Sequence, residues 1–297
     1  MRRESLPPGL LHLLQETKHR AAVARKHAGW GFPTVRGPLL EPYFRWRQER
    51  DPQRFPADRY AGQWFAHDLP GRAIERGEPV PRRIFVLWTG DNPLTPNRAR
   101  HLASIREVNA DLEVVLITPD NLGDWLVAGH PLPAQYRHLS FVHRSDVLRG
   151  YLLHHHGGGY ADLKRPLHRW APAFDRLEAS DAWLLGYTET YRLQVPAVGG
   201  ELYRDLRANS RQLLGYGGLI ARANTPLTAE WDAQVRAVLA QHSTALAAYP
   251  GNTRGDNPGY PIGWTQVLAH IVAPLTWKYQ DHVLHDERVL PELRRYT

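Results

Sequence analysis

The segment Ile84–Phe85–Val86–Leu87–Trp88 carries no charged side chain and only an indole N–H as a polar group. A strand whose sheet is covered on both faces reads this way. Thr89–Gly90–Asp91–Asn92–Pro93 breaks the run, Asn97 to Val108 reads as a helix, and Leu112–Glu113–Val114–Val115–Leu116–Ile117 reads as a second buried strand. Strand, helix and strand within about 35 residues form a βαβ unit, whose crossover makes the two strands parallel. The chain is therefore expected to be α/β. Parallel sheets take their ligands beyond the carboxyl ends of the strands, so Trp88, Thr89 and Gly90 are the first candidate site residues.

The rest of the chain fits this frame. Tyr136 to His154 reads as an amphipathic helix, with Leu139, Val142, Leu148, Tyr151 and Leu152 largely on one face and Arg144, Ser145, Asp146 and Arg149 interrupting it. Gly157–Gly158–Gly159 should stop that helix, since glycine tolerates positive φ, and Tyr160–Ala161–Asp162–Leu163–Lys164 follows as an extended piece. Further strands are expected at Trp183–Tyr187 and Gly218–Ala221, and helices over Thr228–Ala248 and Gly263–Val272, giving a mixed sheet. Residues 1–80 read as an N-terminal helical extension and residues 81–297 as the main domain.

Charge narrows the function classes. The 297 residues carry a net charge of +7, of which +5 falls in residues 1–80 and +2 in the remainder. A nearly balanced main domain argues against a broad nucleic-acid groove. The basic N-terminal stretch suits peripheral docking on an anionic membrane face, while its short apolar stripe favours packing on its own domain. With no cysteine, thiol nucleophiles, disulfides and Cys-ligated metals are excluded, and a cytoplasmic location is expected. No apolar run approaches the roughly 18 residues of a membrane span.

Asp146 and Arg149, at i and i+3 on one helix, project to the same side. Such a pair can hold a sugar hydroxyl and a phosphate, and a wet surface ion pair would show the same spacing. The neighbouring sequence decides between them. Ser145-Asp146-Val147-Leu148-Arg149, followed after seven residues by Gly157-Gly158-Gly159-Tyr160-Ala161-Asp162, resembles the sugar-binding region of DXD-type glycosyltransferases, the capsular-polysaccharide-synthesis and family 32-like group. Arg83-Ile84-Phe85-Val86-Leu87-Trp88-Thr89-Gly90 resembles that family's opening strand, and Leu116 to Leu122 occupies the place of its next conserved segment without the family's Trp. The resemblance covers about residues 81 to 225.

The resemblance implies a GT-A fold and transfer of a sugar, with retention of configuration, from a UDP- or GDP-sugar donor to a glycan or other hydroxyl acceptor in polysaccharide biosynthesis. It implies that Trp88 stacks on the base, with Thr89 and Gly90 beside it. Asp146 and Arg149 would meet ribose or donor sugar and phosphate, and Asp162 would be the first carboxylate of the DXD pair. The second carboxylate is replaced by Lys164. An ammonium has no acceptor for a cation, which leaves three readings open. Lys164, alone or with Arg165, takes the place of Mn or Mg; Asp162 holds the metal with ligands distant in sequence; or the chain binds sugar nucleotides without catalysis. Gly158, Gly159, Tyr160, Gly217 and Gly218 are expected near the donor. Asn257, Pro258 and Gly259 lie in a polar loop where the family has a diphosphate-flanking one. Candidate acceptor bases are Asp181, Glu189, Glu201 and Asp256. His154–His155–His156 cannot converge on one ion, because successive helical residues point about 100° apart, and His282, His285 and Asp286 read as a solvated tail.

Overall fold

The computed structural model describes residues 42–43, 46–48, 50–66, 68–189 and 195–293. The helix expected near the N-terminus, over residues 10–31, lies outside the described residues. The chain divides into two compact units, Met1–Asp51 and Pro52–Thr297, and the sheet belongs to the second. Among the described residues no helix is long and apolar enough to cross a membrane.

Strand β1 (Arg83–Leu87) leads through α1 (Pro96–Val108) to β2 (Glu113–Ile117), the expected βαβ unit. Thr95 caps α1 by accepting from the Arg98 amide, and Pro96 opens it, where a missing N–H costs nothing. Helix α2 (Phe141–His155), β3 (Gly158–Ala161), α3 (Ala171–Glu178), β4 (Leu184–Thr188), α4 (Gly200–Ala208) and β5 (Leu214–Ala221) follow. Then come α5 (Pro226–Gln241), α6 (Ser243–Ala248), α7 (Ala269–Lys278) and β6 (Val283–His285). The six-stranded sheet has the order β2-β1-β3-β5-β4-β6. Only β5 runs against its neighbours, so the sheet is mixed as expected and consistent with a GT-A-like Rossmann fold. One edge collects the carboxyl ends of five strands and the amino end of β5.

Period-2 alternation divides the core into two layers. Phe85 and Leu87 of β1 join α2, α5 and α7 on one face, while Ile84 and Val86 join α1 and α3 on the other. Helix α2 differs from its amphipathic reading, because every residue from Asp146 to Leu153 is buried. It is sandwiched between the sheet and α5, and Gly150 lets the Trp231 indole close onto its backbone, where a Cβ would stand 3.0 Å from Trp231 Nε1. The turn from α2 into β3 is made by Gly157 and Gly158, at φ of +64° and +91°, a conformation that L side chains rarely adopt.

Other boundaries moved. The helix expected over 228–248 breaks at His242 into α5 and α6, and the one expected at 263–272 forms later, as α7. The stretch from His282 to Asp286 is not a solvated tail. Val283–His285 pairs with β4 as an edge strand, His282 stacks on Trp183 at 3.9 Å, and Asp286 is buried and held by Arg176 and Arg288.

Candidate active site

The carboxyl edge of the sheet brings Asp146, Arg149, Tyr160, Asp162 and Lys164 into one hydrogen-bonded cluster. Tyr160 and Asp162 share a parity on β3 and its extension, so both face α2, while Ala161 between them and Leu163 after them pack in the opposite layer. Arg149 reaches from α2 and donates to the Tyr160 hydroxyl (2.9 Å), to Asp146 Oδ1 (3.2 Å) and to the Tyr216 carbonyl (2.8 Å). Its guanidinium also lies 4.1 Å from the Tyr160 ring centroid and 3.6 Å from Asp162 Oδ1. Tyr160 in turn donates to Asp162 Oδ1 at 2.8 Å, and Lys164 Nζ lies 2.9 Å from Asp162 Oδ2.

Depth separates the members. The Asp146 and Arg149 side chains are 8% and 7% exposed, whereas those of Asp162 and Lys164 retain 24% and 18%. Asp162 and Lys164 are thus the pair a ligand reaches first, and Arg149 is committed to protein partners beneath them. Burial pushes the Asp146 carboxyl up to about 6, against the pull of Arg149 and with a further push from Asp162. Burial works against ionisation of Asp162 too, but the adjacent Lys164 and Arg149 outweigh it and hold that carboxyl below its ordinary value. Burial raises the Tyr160 phenol well above its usual range, which keeps its proton available to Asp162. Two neighbouring carboxylates are thereby driven apart, a pattern common at functional sites.

Several supports escaped the sequence reading. The Leu163 carbonyl accepts from Arg98 Nη1 (2.5 Å) and contacts His101 Nδ1 (3.1 Å), which pins the turn carrying Asp162 and Lys164 to α1. Tyr187, at the end of β4, accepts from the Gly217 amide at 3.3 Å; its phenol is raised by burial first, then by Glu189 and Asp162. Its only signal in sequence was an aromatic residue ending an apolar strand.

The structure separates other candidates from this cluster. Gly158 and Gly159 open β3 at the far end from Asp162, with a Cβ at either falling 3.1–3.2 Å from the Arg83 carbonyl, so both allow close packing against β1. The space left by Gly218 is taken by the chain itself, since a Cβ there would sit 2.1 Å from the Val289 carbonyl oxygen. Gly217 stays at the site: its carbonyl accepts from the Asp162 amide at 2.9 Å, and a Cβ would come within 3.1 Å of Asp162 Oδ2. Among the candidate bases, Glu189 is buried at the same edge, just beyond β4. Asp181 lies at the opposite end of β4, Glu201 pairs with Arg204, and Asp256 is held by Asn252 within its own loop. Asn257, Pro258 and Gly259 shape that loop, Asn257 accepting from the Asn252 amide and donating to Pro250. The loop packs over the first turn of α2 through Tyr260, whose hydroxyl bonds His143 Nδ1 at 2.8 Å. The three histidines of 154–156 go to separate partners: Thr228, a ring cluster with Tyr151 and His130, and the Trp125 carbonyl.

A cleft of about 110 Å³ opens beyond β1 and β2, lined by Thr89, Ile117, Thr118, Pro119, Leu122, Tyr136, Arg144 and Leu148. The Thr89 hydroxyl donates to the Phe141 carbonyl at 2.6 Å, and Gly90 packs against the Phe141 ring, which a Cβ would approach to 3.0 Å. Both tie the end of β1 to α2. Trp88, of opposite parity, is not among the lining residues. It packs with the α1–α3 layer, and its indole N–H donates to the Asn92 carbonyl at 2.6 Å.

A family model described as capsular polysaccharide synthesis protein matches residues 73–163. The match supports a glycosyltransferase-like family. It runs from ahead of β1 to the residue after Asp162, and so contains Asp146, Arg149, Tyr160 and Asp162 and stops short of Lys164. No curated protein matches the chain. The implied metal can be weighed against the donor set. Position 164 offers an ammonium 2.9 Å from Asp162 Oδ2, and among the described residues no group of three or more His, Asp or Glu is placed to hold an ion. A hard divalent cation needs about six oxygen ligands or waters, and these residues do not fit one.

Proposed function

We propose that the chain is a glycosyltransferase of polysaccharide synthesis, moving a sugar from a UDP- or GDP-sugar to a glycan hydroxyl with retention of configuration. The observation that carries this reading is the Asp146–Arg149–Tyr160–Asp162–Lys164 cluster at the carboxyl edge of a mixed α/β sheet, most of it inside the segment similar to capsular polysaccharide synthesis proteins. The nucleoside occupies the cleft beside Thr89 and Tyr136, and the diphosphate lies across the sheet edge toward Lys164. Asp162, ionised and partly exposed, accepts from ribose or sugar hydroxyls. Arg149 and Tyr160 act from beneath by fixing the Asp162 carboxylate, and the loop bearing Asn257, Pro258 and Gly259 flanks the donor above the first turn of α2.

Chemistry needs little more than position and charge. The bond from the anomeric carbon to the diphosphate oxygen breaks with its electron pair going to phosphate, the acceptor oxygen bonds the same carbon, and the acceptor proton leaves with the nucleoside diphosphate. Fixed positive charge at the departing phosphate stabilises that transition state most. Glu189, buried at the same sheet edge just beyond β4, meets the acceptor in this reading. The test is a thermal-shift screen of UDP, GDP and their sugars, followed by donor turnover with and without glycan acceptors. A ligand that binds the native state raises the melting temperature. Stabilisation by one nucleoside diphosphate together with acceptor-dependent release of it is expected. Stabilisation without turnover would leave a sugar-nucleotide binder, and no stabilisation by any of them would remove the reading.

A further inference from the structure

We infer that this site binds the donor diphosphate and drives its departure without a divalent cation, the Lys164 ammonium supplying the charge in its place. The inference rests on the donor reading above. Counted formally, Asp146 and Asp162 balance Arg149 and Lys164, so the cluster is neutral; a carboxylate at position 164 would make it doubly negative. A doubly negative oxygen cage attracts a divalent cation. A neutral cage with an ammonium at its half-buried rim repels one and favours an oxyanion.

The ammonium is also held in place, as preorganised charge stabilisation requires. The Lys164 amide donates to the Asp162 carbonyl at 2.6 Å, curling the chain so that the two side chains return to the same edge and Nζ meets Asp162 Oδ2 at 2.9 Å. Between them the Leu163 carbonyl is anchored by Arg98 and His101. An ammonium carries three N–H donors, so bonding to Asp162 is compatible with donating to a phosphate oxygen. Lys164 then faces the oxygen that receives the electron pair when the anomeric bond breaks, and its hydrogen bond strengthens as charge grows there.

The experiment measures binding of UDP and GDP to the full chain by titration calorimetry, in EDTA and in Mn²⁺. For the wild-type protein the preferred nucleotide is expected to bind equally in both buffers. Lys164→Met should lose about 10- to 100-fold in affinity, the range for a hydrogen bond to a charged group, in both buffers. Lys164→Arg should keep metal-free binding, and Lys164→Asp should bind only with Mn²⁺. Circular dichroism of each variant without ligand confirms the fold, and Lys164→Arg keeps the test decisive if Lys164→Met does not fold. Wild-type binding that vanishes in EDTA and returns with Mn²⁺ would overturn the inference while leaving the donor reading intact. Unchanged affinity in folded Lys164→Met would also overturn it. Failure of every nucleoside diphosphate to bind in either buffer would remove the donor reading and the inference with it.

Discussion

Replacing Asp146 by Asn should alter the pH dependence of stability in a direction opposite to that of most carboxylates. Asp146 is buried against Arg149, yet burial dominates and its carboxyl rises from 3.8 to about 6. At about 1.4 kcal/mol per pH unit, that rise amounts to about 3 kcal/mol. Between about pH 4 and pH 6 the native protein holds a proton that the unfolded chain has lost, so this group stabilises the fold at low pH and its contribution is lost as pH rises through 6. Asn at this position does not titrate and keeps an oxygen to accept from Arg149. Stability relative to wild type should therefore shift in favour of Asp146→Asn by about 3 kcal/mol between pH 3 and pH 7, a large change against a total of about 5–15 kcal/mol. Urea unfolding of both proteins at several pH values measures this, because titration of the other groups largely cancels in the difference. Parallel stability profiles for the two proteins, or a relative shift of the opposite sign, would refute the reasoning.

Three other outcomes follow from the same geometry. Gly218→Ala places a methyl group 2.1 Å from the Val289 carbonyl oxygen and should cost about 3 kcal/mol; a wild-type melting temperature would contradict the packing described. Tyr136→Ala should weaken nucleoside-diphosphate binding by about 5- to 150-fold, as expected for loss of a stacked base, and Trp88→Ala by much less; the reverse order in calorimetry would move the base to the Trp88 face. Burial lowers His285 to about 4, so the native state keeps it neutral where the unfolded chain protonates it, and stability falls as pH drops from 6.5 toward 4. His285→Gln should flatten that part of the acid-unfolding profile, and an unchanged profile would exclude His285 as its source.

The sheet's first half was legible in sequence because it is written in local patterns. The apolar run 84–88, the breaker after it and the run 112–117 specify β1–α1–β2, and three glycines after a helical stretch specify the α2–β3 turn. Asp146, Arg149 and Asp162 could be named only through the resemblance carried by their neighbouring sequence, because helical spacing by itself fits a wet surface ion pair equally well. Later elements were less so: β6 is only three residues long and becomes a strand because β4 leaves it an edge to pair with.

Sequence by itself determined the fold class, the sheet edge that carries the candidate site, and the ammonium at position 164 where the resemblance implies a carboxylate. Tertiary structure decided which way each candidate faces and what occupies the space beside it. Trp88 and Thr89 are adjacent in sequence, yet strand alternation sends them to opposite layers and leaves only Thr89 on the cleft. Gly217 and Gly218 look alike in sequence, but one adjoins the Asp162 carboxylate and the other a carbonyl some 70 residues later. The burial that separates Asp146 from Asp162 in acidity depends on packing between α2, β3 and β5. Such contacts join residues far apart in the chain, so no local pattern encodes them.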